Sequence, residues 1–220
     1  MKIEIIPCLN DNYSYLIYDE NSNTVAIIDP SEFFACDKII NQNYNKLDFI
    51  FNTHHHYDHV GGNKDLKIKY NSIVVGFEED KNRIPGIDKV LKDKQVFKIG
   101  DLSFTTIFVP GHTSGHIAFY SEKEKVIFTG DTLFSLGCGR VFEGTYKQMF
   151  QSLNKLKNLP KDTRIYCGHE YTYNNLEFCM KFNPNNIFLK SKKDAIELNL
   201  KNKKPTIPST IADEIKTKIF

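Results

Sequence analysis

The segment Thr53–His59 reads THHHYDH and places four imidazoles and one carboxylate within seven residues. Four of the chain's seven histidines lie in this segment. Imidazole and carboxylate together are typical ligands of zinc, iron and manganese sites. In extended backbone the side chains alternate between two faces, so His54 and His56 point to one side while His55 points away. A turn after His56 would bring the carboxylate and the last imidazole to a second point nearby, and the segment therefore predicts ligands for two metal ions.

This segment has two simpler explanations. A single His-x-His is commonly a surface feature, and a histidine tag lies at a terminus without an embedded carboxylate. This segment instead follows the apolar, strand-like run Leu47–Phe51 and precedes Val60–Gly62. A buried strand leading into a turn is a better setting for a metal site than for either alternative.

Length and composition bound the class of protein. With 220 residues, 40% apolar and 25% charged, the chain can form one sizeable core or a main domain with a small appendage. The net charge of +2 gives no bias toward nucleic acid or membrane. Met1–Pro7 does not resemble a signal peptide, and no apolar run approaches the roughly 20 residues that span a bilayer. The five cysteines are odd in number and lack C-x-x-C spacing, so we expect a cytoplasmic protein with reduced thiols. We also expect the protein to be a monomer.

The pattern of apolar residues changes along the chain at about Tyr171. Before it, short strand-like runs alternate with turns, and after it the apolar spacing is helical. Strands are predicted at 2–6, 13–18, 24–29, 48–52, 72–76, 95–99, 102–109, 116–120, 125–129 and 164–167, and helices at 32–43 and 146–158. This order predicts an α/β protein in which two packed sheets carry helices outside. We expect a metal-binding domain over residues 1–170 and a small helical, substrate-binding domain over 171–220.

Further ligand candidates follow strands in three glycine-containing segments. His112 lies in PGHTSGH, Asp131 in FTGDTLF and His169 in YCGHEY. His116 competes with His112, but it opens the next strand and is better interpreted as a polar strand residue with a structural hydrogen bond. Asp131 could instead cap a helix, although a carboxylate at the end of an apolar strand is costly to bury without a partner. His169 alone could be a satisfied core histidine.

Taken together, these candidates complete the coordination of two ions. The predicted ligands are His54, His56 and His112 for the first ion, Asp58, His59 and His169 for the second, and Asp131 as a bridge between them. Two cations that share a water lower its pKa toward neutrality, so the predicted reaction is metal-assisted hydrolysis by a bridging hydroxide. Asp58 and Asp131 would position that hydroxide. Asp29 is a candidate for supporting a ligand, with a simple turn residue as the alternative.

These segments, in this order, resemble the metallo-β-lactamase superfamily and, within it, the hydroxyacylglutathione hydrolase (glyoxalase II) family. Thr53–His59 is shared across the superfamily and is not specific for a substrate. The more specific motifs are Gly130–Phe134 (GDTLF), Gly137–Thr145 (GCGRVFEGT) and Cys167–Thr172 (CGHEYT), and Pro205–Thr210 (PTIPST) resembles the family's C-terminal region. The resemblance covers essentially the whole chain.

The resemblance implies an αββα sandwich with a small C-terminal helical domain. It implies hydrolysis of the thioester of S-D-lactoylglutathione to D-lactate and glutathione, which is a step of methylglyoxal detoxification. The seven predicted ligands match the family's positions one for one, for two divalent ions that are most simply zinc, with iron or manganese as alternatives. Other functions considered are a mono-iron persulfide dioxygenase, another thioester hydrolase of the same fold, a nucleic-acid hydrolase and a non-catalytic metal-binding module.

The same resemblance suggests the residues that contact the substrate. Arg140 and Tyr171 match positions that contact the glutathione moiety, and Phe142 stands where some members carry a tyrosine that also contacts it. Members usually continue with a basic pair that holds the glycine carboxylate of glutathione. Lys216 and Lys218 do not reproduce that motif, so we expect either a shortened chain or looser binding of glutathione; Lys218 lies outside the residues described below.

Overall fold

The computed structural model describes residues 1–217, and two six-stranded sheets form its centre. The strands of the first sheet follow one another in chain order: β1 (Lys2–Cys8), β2 (Asn12–Asp19), β3 (Thr24–Ile28), β4 (Phe49–Phe51), β5 (Ile73–Phe77) and β6 (Lys89–Leu91). The first three are antiparallel, whereas β3 to β6 are parallel. The carboxyl ends of β3, β4 and β5 therefore lie at the same edge of this sheet.

The second sheet also has six strands that follow one another in chain order, but most of its neighbouring strands are antiparallel. Its strands are β7 (Val96–Ile99), β8 (Leu102–Phe108), β9 (Ile117–Ser121), β10 (Val126–Gly130), β13 (Arg164–Cys167) and β14 (Ser209–Thr210), in the spatial order β14-β13-β10-β9-β8-β7. Only β10 and β13 are parallel neighbours. Their carboxyl ends and the β8–β9 turn lie at one edge. A small hairpin, β11 (Leu133–Phe134) and β12 (Gly137–Cys138), follows β10.

Helices cover the outer face of each sheet. The helices of residues 1–217 are α1 (Phe33–Asn43), α2 (Tyr57–Val60), α3 (Asn63–Tyr70), α4 (Tyr146–Lys157), α5 (Thr172–Phe182), α6 (Ile187–Lys201) and α7 (Ile211–Thr217), with a 3-10 helix at Glu78–Asp80. Phe51 and Phe119 belong to the apolar layer between the sheets. Ile40 of α1 packs on the first sheet, and Leu156 of α4 packs on the second. The protein therefore has the four layers αββα that the sequence predicts.

The sequence-predicted strands are all present, with ends shifted by one or two residues. The prediction omitted α2, α3, the 3-10 helix, β6, β11 and β12, and it expected no strong strand after Tyr171, where the two-residue β14 joins the second sheet. In the C-terminal region α5 and α6 share a small apolar cluster that includes Leu176 and Leu189, while α7 packs on the second sheet. Among residues 1–217, no helix has the length and apolar character needed to cross a bilayer.

A buried carboxylate joins the two sheets at the edge opposite to the carboxyl ends of β3, β4 and β5. Asp19, at the end of β2, accepts hydrogen bonds from the Ser22 hydroxyl at 2.5 Å and from the Asp101 N–H at 2.7 Å. Asp101 lies in the β7–β8 turn beside Gly100, whose φ of +59° is in the left-handed region. A Cβ at Gly100 would overlap the Ser22 hydroxyl and the Asp19 carboxylate. Glycine is therefore required here both for the backbone and for this link between sheets.

Gly100→Ala is expected to lower the free energy of unfolding by about 2 to 3 kcal/mol, because it combines left-handed strain with displacement of the Asp19 contacts. Gly86→Ala is the matched control, since Gly86 also has a positive φ, of +73°, but its added Cβ would make only an ordinary contact with Lys67. That control should cost about 1 kcal/mol. Urea denaturation of both variants measures the difference. Equal losses would contradict a role for the Asp19 link.

Candidate metal centre

Five loops from both sheets meet at the edge defined by the strand ends. Asp29 follows β3, the segment Thr53–His59 follows β4, and the β8–β9 turn carries His112. Asp131 and His169 follow the parallel strands β10 and β13. The Ile117 N–H donates to the Thr53 carbonyl at 2.9 Å and joins the two sheets at this edge. Every predicted metal ligand therefore lies where the two sheets meet.

The first cluster consists of His54, His56 and His112. His56 Nδ1 lies 3.1 Å from His54 Nε2 and 3.0 Å from His112 Nε2. Burial lowers the pKa of all three imidazoles, which favours their neutral forms. The other ring nitrogens of His54 and His112 lie within hydrogen-bond distance of the Thr53 hydroxyl and the Arg140 carbonyl, at 3.0 and 2.8 Å. A carbonyl only accepts, so the His112 proton is on Nδ1, and its Nε2 lone pair faces the cluster.

The second cluster consists of Asp58, His59 and His169. The ring Nε2 atoms of His59 and His169 lie 3.6 and 3.4 Å from Asp58 Oδ2. Burial raises the pKa of Asp58, but His169 and His59 outweigh it and hold that pKa below its ordinary value. Burial opposes protonation of His169, yet the carboxylates of Asp131 and Asp58 raise its pKa to about 10. Negatively charged carboxylates and a positively charged imidazole therefore lie together at the second cluster.

Asp131 faces both clusters at once. Its Oδ2 lies 3.4 Å from His112 Nε2 and 3.2 Å from His169 Nε2, while its Oδ1 lies 3.3 Å from His59 Nε2. Burial alone would raise the pKa of Asp131, but His59 and His169 outweigh it and hold that pKa well below its ordinary value. An ionised carboxylate in this position can be shared between a cation in each cluster. The geometry thus brings together all seven predicted ligands.

Two unsatisfied atoms show that this donor set fits metal ions. His59 Nε2 and Asp131 Oδ1 are buried, and neither has a hydrogen-bond partner, although they lie 3.3 Å apart. Leaving buried polar atoms without partners costs about 1 to 3 kcal/mol each. A cation held by the second cluster would accept the lone pairs of both. Imidazole and carboxylate donors suit zinc, iron and manganese, so the residues present fit two divalent ions.

Asp29 supports ligands from both clusters. Its Oδ2 accepts from the Thr53 hydroxyl at 2.6 Å and lies 3.1 Å from His59 Nδ1, and its Oδ1 accepts from the Thr53 N–H at 2.7 Å. Asp29 also forms a third group of metal-competent atoms with His54 and His59. Its two oxygens are already used by these hydrogen bonds, so we assign Asp29 to positioning the ligands. Such partners orient an imidazole and increase its basicity.

Two further supporting residues were missed by the sequence analysis. Asp11 Oδ1 lies 2.8 Å from His169 Nδ1, and Asn12 Nδ2 donates to Asp58 Oδ2 at 2.9 Å. Asp11 ends the β1–β2 turn and Asn12 begins β2. The start of β2 reaches the second sheet through the hydrogen bond from Tyr13 N–H to the Gly168 carbonyl, at 2.8 Å. Only the presence of Asn and Asp at a turn could have indicated them, and that signal is common in turns without any site.

The two remaining histidines near the site lie outside the clusters. His55 points away from its neighbours, and its Nδ1 lies 3.3 Å from Asp80 Oδ2. His116 is fully buried, accepts from the Asp131 N–H at 3.0 Å and lies 3.2 Å from the Thr132 hydroxyl. Neither belongs to a group of three metal-competent residues within 1–217. His116 makes structural hydrogen bonds of the kind predicted for it, and the expectation that His55 binds no metal stays a prediction.

A cavity of about 530 Å³ opens above the two clusters. All three predicted substrate-contacting residues line it. The Arg140 guanidinium lies over the Phe142 ring at 4.8 Å, and that ring packs edge-on against His112 at 5.2 Å. Tyr171 stacks on the His169 ring at 4.7 Å. Burial raises the pKa of the Tyr171 hydroxyl to about 12, so it is a neutral hydrogen-bonding group. The cavity thus combines a cation, a hydroxyl and aromatic surface beside the ligands.

Asn174 and Asn175 also line this cavity and were not predicted. Both lie in the first turn of α5, directly after the CGHEYT motif. Asn175 Nδ2 donates to the Ser135 carbonyl at 2.9 Å, which fixes its orientation. Their proximity to the motif was the only sequence signal, because asparagine near a helix start more commonly satisfies backbone groups.

Two family models divide the chain between them. Residues 10–169 match the metallo-β-lactamase superfamily, and residues 170–220 match the hydroxyacylglutathione hydrolase C-terminus. A hydroxyacylglutathione hydrolase from Pelagibacter ubique is 51% identical over 220 residues, which are 100% of this chain and 92% of that protein. The chain belongs to the hydroxyacylglutathione hydrolase family of the metallo-β-lactamase superfamily. The predicted family is therefore confirmed.

Solved structures agree with this membership of the metallo-β-lactamase superfamily. The crystal structure of ETHE1 from Myxococcus xanthus is 29% identical, with a TM-score of 0.69 over 78% of this chain and 76% of that one. The structure of TTHA1623 in a di-iron-bound form is 25% identical, with a TM-score of 0.64 over 77% of this chain and 92% of that one. The predicted αββα metallo-β-lactamase fold is confirmed.

Proposed function

We propose that this protein is a thioester hydrolase that converts S-D-lactoylglutathione to D-lactate and glutathione, and so acts in methylglyoxal detoxification. One observation carries the proposal: Asp131 faces two three-residue ligand clusters at the floor of a cavity that Arg140 and Tyr171 line. The relative from Pelagibacter ubique, which is 51% identical, is named for the same reaction class and supports it.

The seven ligands provide the hydrolytic chemistry. His54, His56 and His112 would hold one divalent ion, Asp58, His59 and His169 a second, and Asp131 both. When bound, such a pair of ions lowers the pKa of a shared water toward neutrality and polarises a carbonyl oxygen. Asp58 and Asp131 line the cavity, where their carboxylates can accept hydrogen bonds from the attacking water and orient it.

The residues that line the cavity also suit a thiolate leaving group. A thiol with an ordinary pKa of about 8.5 leaves readily as a thiolate, so a strong general acid is not required. Asp58 and Asp131 are the only acidic side chains among the lining residues, and both belong to the clusters. Arg140 can pair with a carboxylate of glutathione, Tyr171 and Asn174 can donate hydrogen bonds, and Phe142 offers only apolar surface.

Release of free thiol from S-D-lactoylglutathione tests the function. Protein reconstituted with Zn²⁺ should release thiol, and a chelator should abolish turnover until the metal is restored. Oxygen uptake with glutathione persulfide and cleavage of a phosphodiester are the parallel assays for the rival activities. Absence of thiol release, together with turnover in either parallel assay or with another thioester, would overturn the assignment.

Four narrower proposals accompany this function. We propose that the two ions are zinc, that the protein acts as a monomer and that it is cytoplasmic. The di-iron form of TTHA1623 supports two ions, and the five cysteines, which form no disulfide, suit a reducing compartment. A boundary between a metal domain at 1–170 and a substrate domain at 171–220 agrees with the point where the family models meet. Metal analysis, light scattering and localisation of a tagged chain test the first three.

Arg140→Met is expected to raise KM for the glutathione thioester about 10- to 100-fold with little change in kcat, because a charged hydrogen bond contributes about 1.5 to 3 kcal/mol. Arg164→Met is the matched control, since Arg164 begins β13 and lies at the end of that strand opposite His169. Steady-state thiol release measures both variants. An unchanged KM for Arg140→Met would contradict its contact with glutathione.

A further inference from the structure

We propose that Arg83 is a positioning residue for the glutathione-binding side of the cavity. It acts through four side chains, defined here as the Arg83 cluster together with Arg83 itself: His55, Asp80, Ser114 and Glu143. This inference rests on the proposed function, because it assigns the cluster an effect on the binding of a glutathione thioester.

Arg83 lies beside the site, on the side of the first sheet. It follows β5 and the 3-10 helix Glu78–Asp80. Nη1 donates to both Glu143 oxygens, at 2.8 and 2.9 Å, and Nη2 donates to Asp80 and to the Ser114 hydroxyl, the latter at 2.9 Å. One guanidinium therefore joins a helix of the first sheet to two loops of the second.

Glu143 extends this connection to the loop that carries His112. Its Oε2 accepts from the Ser114 N–H at 2.8 Å and from the Ser114 hydroxyl at 2.9 Å. The N–H groups of Phe142 and Glu143 donate to the His112 carbonyl at 3.2 and 3.3 Å. His112 Nδ1 in turn donates to the Arg140 carbonyl at 2.8 Å. The segment 140–143 is thus held against the His112 loop at both ends.

The Arg83 cluster differs from an ordinary surface ion pair. Exposed pairs contribute about 0 to 1 kcal/mol because water screens them. Here the Asp80 side chain is fully buried, one guanidinium nitrogen contacts both oxygens of Glu143, and a backbone N–H takes part. A Cβ at Gly115 would overlap the Asp80 carboxylate, so the chain is closely packed at this point. His55, between two candidate ligands, adds a further contact to Asp80 at 3.3 Å.

The members of the Arg83 cluster do not line the cavity, whereas the residues attached to them do. Arg140 and Phe142 belong to the lining, and both lie within three residues of Glu143. Loss of Arg83 would remove the contact between the segment 140–143 and the first sheet, while His112 would keep its position in the β8–β9 turn. The expected consequence is weaker binding of the glutathione moiety with the hydrolytic step retained, because the misplaced groups contact the substrate away from the thioester.

Arg83→Met tests this inference in metal-reconstituted protein. We expect KM for S-D-lactoylglutathione to rise about 10-fold, since small displacements of positioning groups have effects of this order or larger. We expect kcat to stay within about 2-fold and Arg83→Lys to recover part of the loss, because lysine keeps the charge without the fork. Calorimetric titration with S-methylglutathione should show a matching rise in Kd. Metal content should stay equal to that of the wild type, and Arg164→Met should leave KM unchanged.

Glu143→Gln is the second variant, and it tests the same contact if Arg83→Met does not fold. It keeps an acceptor for Ser114. Combining the two substitutions should raise KM no further than the stronger single substitution, since both remove one connection. Lower thermal stability with unchanged KM and Kd would overturn the inference, as would a loss of kcat that accompanies loss of metal. Failure of the wild type to release thiol would instead refute the proposed function, and with it this inference.

Discussion

Asp131→Ala is expected to remove both metal ions and to lower kcat/KM for S-D-lactoylglutathione by at least about 1,000-fold, the upper range for loss of a group that stabilises developing charge. The reason is geometric. The carboxylate lies within 3.2 to 3.4 Å of imidazoles from both clusters, so its removal takes a ligand from each ion. It also leaves His59 and His169 without their shared counter-charge.

Asp131→Asn separates charge from shape in this prediction. The amide keeps one oxygen that can bind a cation, but it removes the negative charge that two cations share. We expect one ion to be retained and activity to remain far below that of the wild type. Asp37→Ala is the control, because Asp37 is a partly buried carboxylate paired with Lys69 and Tyr70, outside this site. Metal analysis and thiol release measure all three variants. Retention of two ions by Asp131→Ala would refute the bridging role.

The sequence indicated the positions of the seven candidate ligands for a local reason. Each lies just after a strand, and four of the seven share one segment of seven residues. The strand pattern therefore indicated where these residues lie in the chain. Because loops that follow strands of one direction meet at one edge of a sheet, the residues were expected to lie close together. Supporting residues such as Asp11 and Arg83 were not predictable in this way. Their partners are 158 and 60 residues away in the chain, and their roles exist only once the two sheets have packed.

The same distinction applies to the fold. Strands with alternating or continuous apolar residues were identified, whereas β11, β12 and β14 have two residues each and carry no period. The helix α3 was missed because only Asn63 and Leu66 of its eight residues are buried, too few to show helical spacing among its lysines. Tertiary packing, rather than local pattern, determines these elements.

Asp29→Asn is expected to weaken both metal sites about 10- to 100-fold, the usual effect of removing a carboxylate that orients a ligand. Asp29 has a φ of +49°, a left-handed conformation that asparagine also tolerates, so the substitution leaves the backbone unstrained. Its amide, however, has one acceptor oxygen, so it cannot accept from the Thr53 N–H as well as from the Thr53 hydroxyl and His59, which share Oδ2 in the wild type. Thr53 positions His54 of the first cluster, while His59 belongs to the second, so both clusters lose orientation.

Asp11→Asn supplies the matched comparison, because Asp11 contacts only His169 among the candidate ligands. Its loss should weaken the second site alone. Titration of metal-free protein against a chromogenic chelator resolves the two binding steps: Asp29→Asn should shift both, and Asp11→Asn only one. If Asp29→Asn shifted only one step, Asp29 would support a single cluster. If it shifted neither, the hydrogen bonds of Asp29 would serve folding alone, and the ligands would be oriented by the packing of the two sheets.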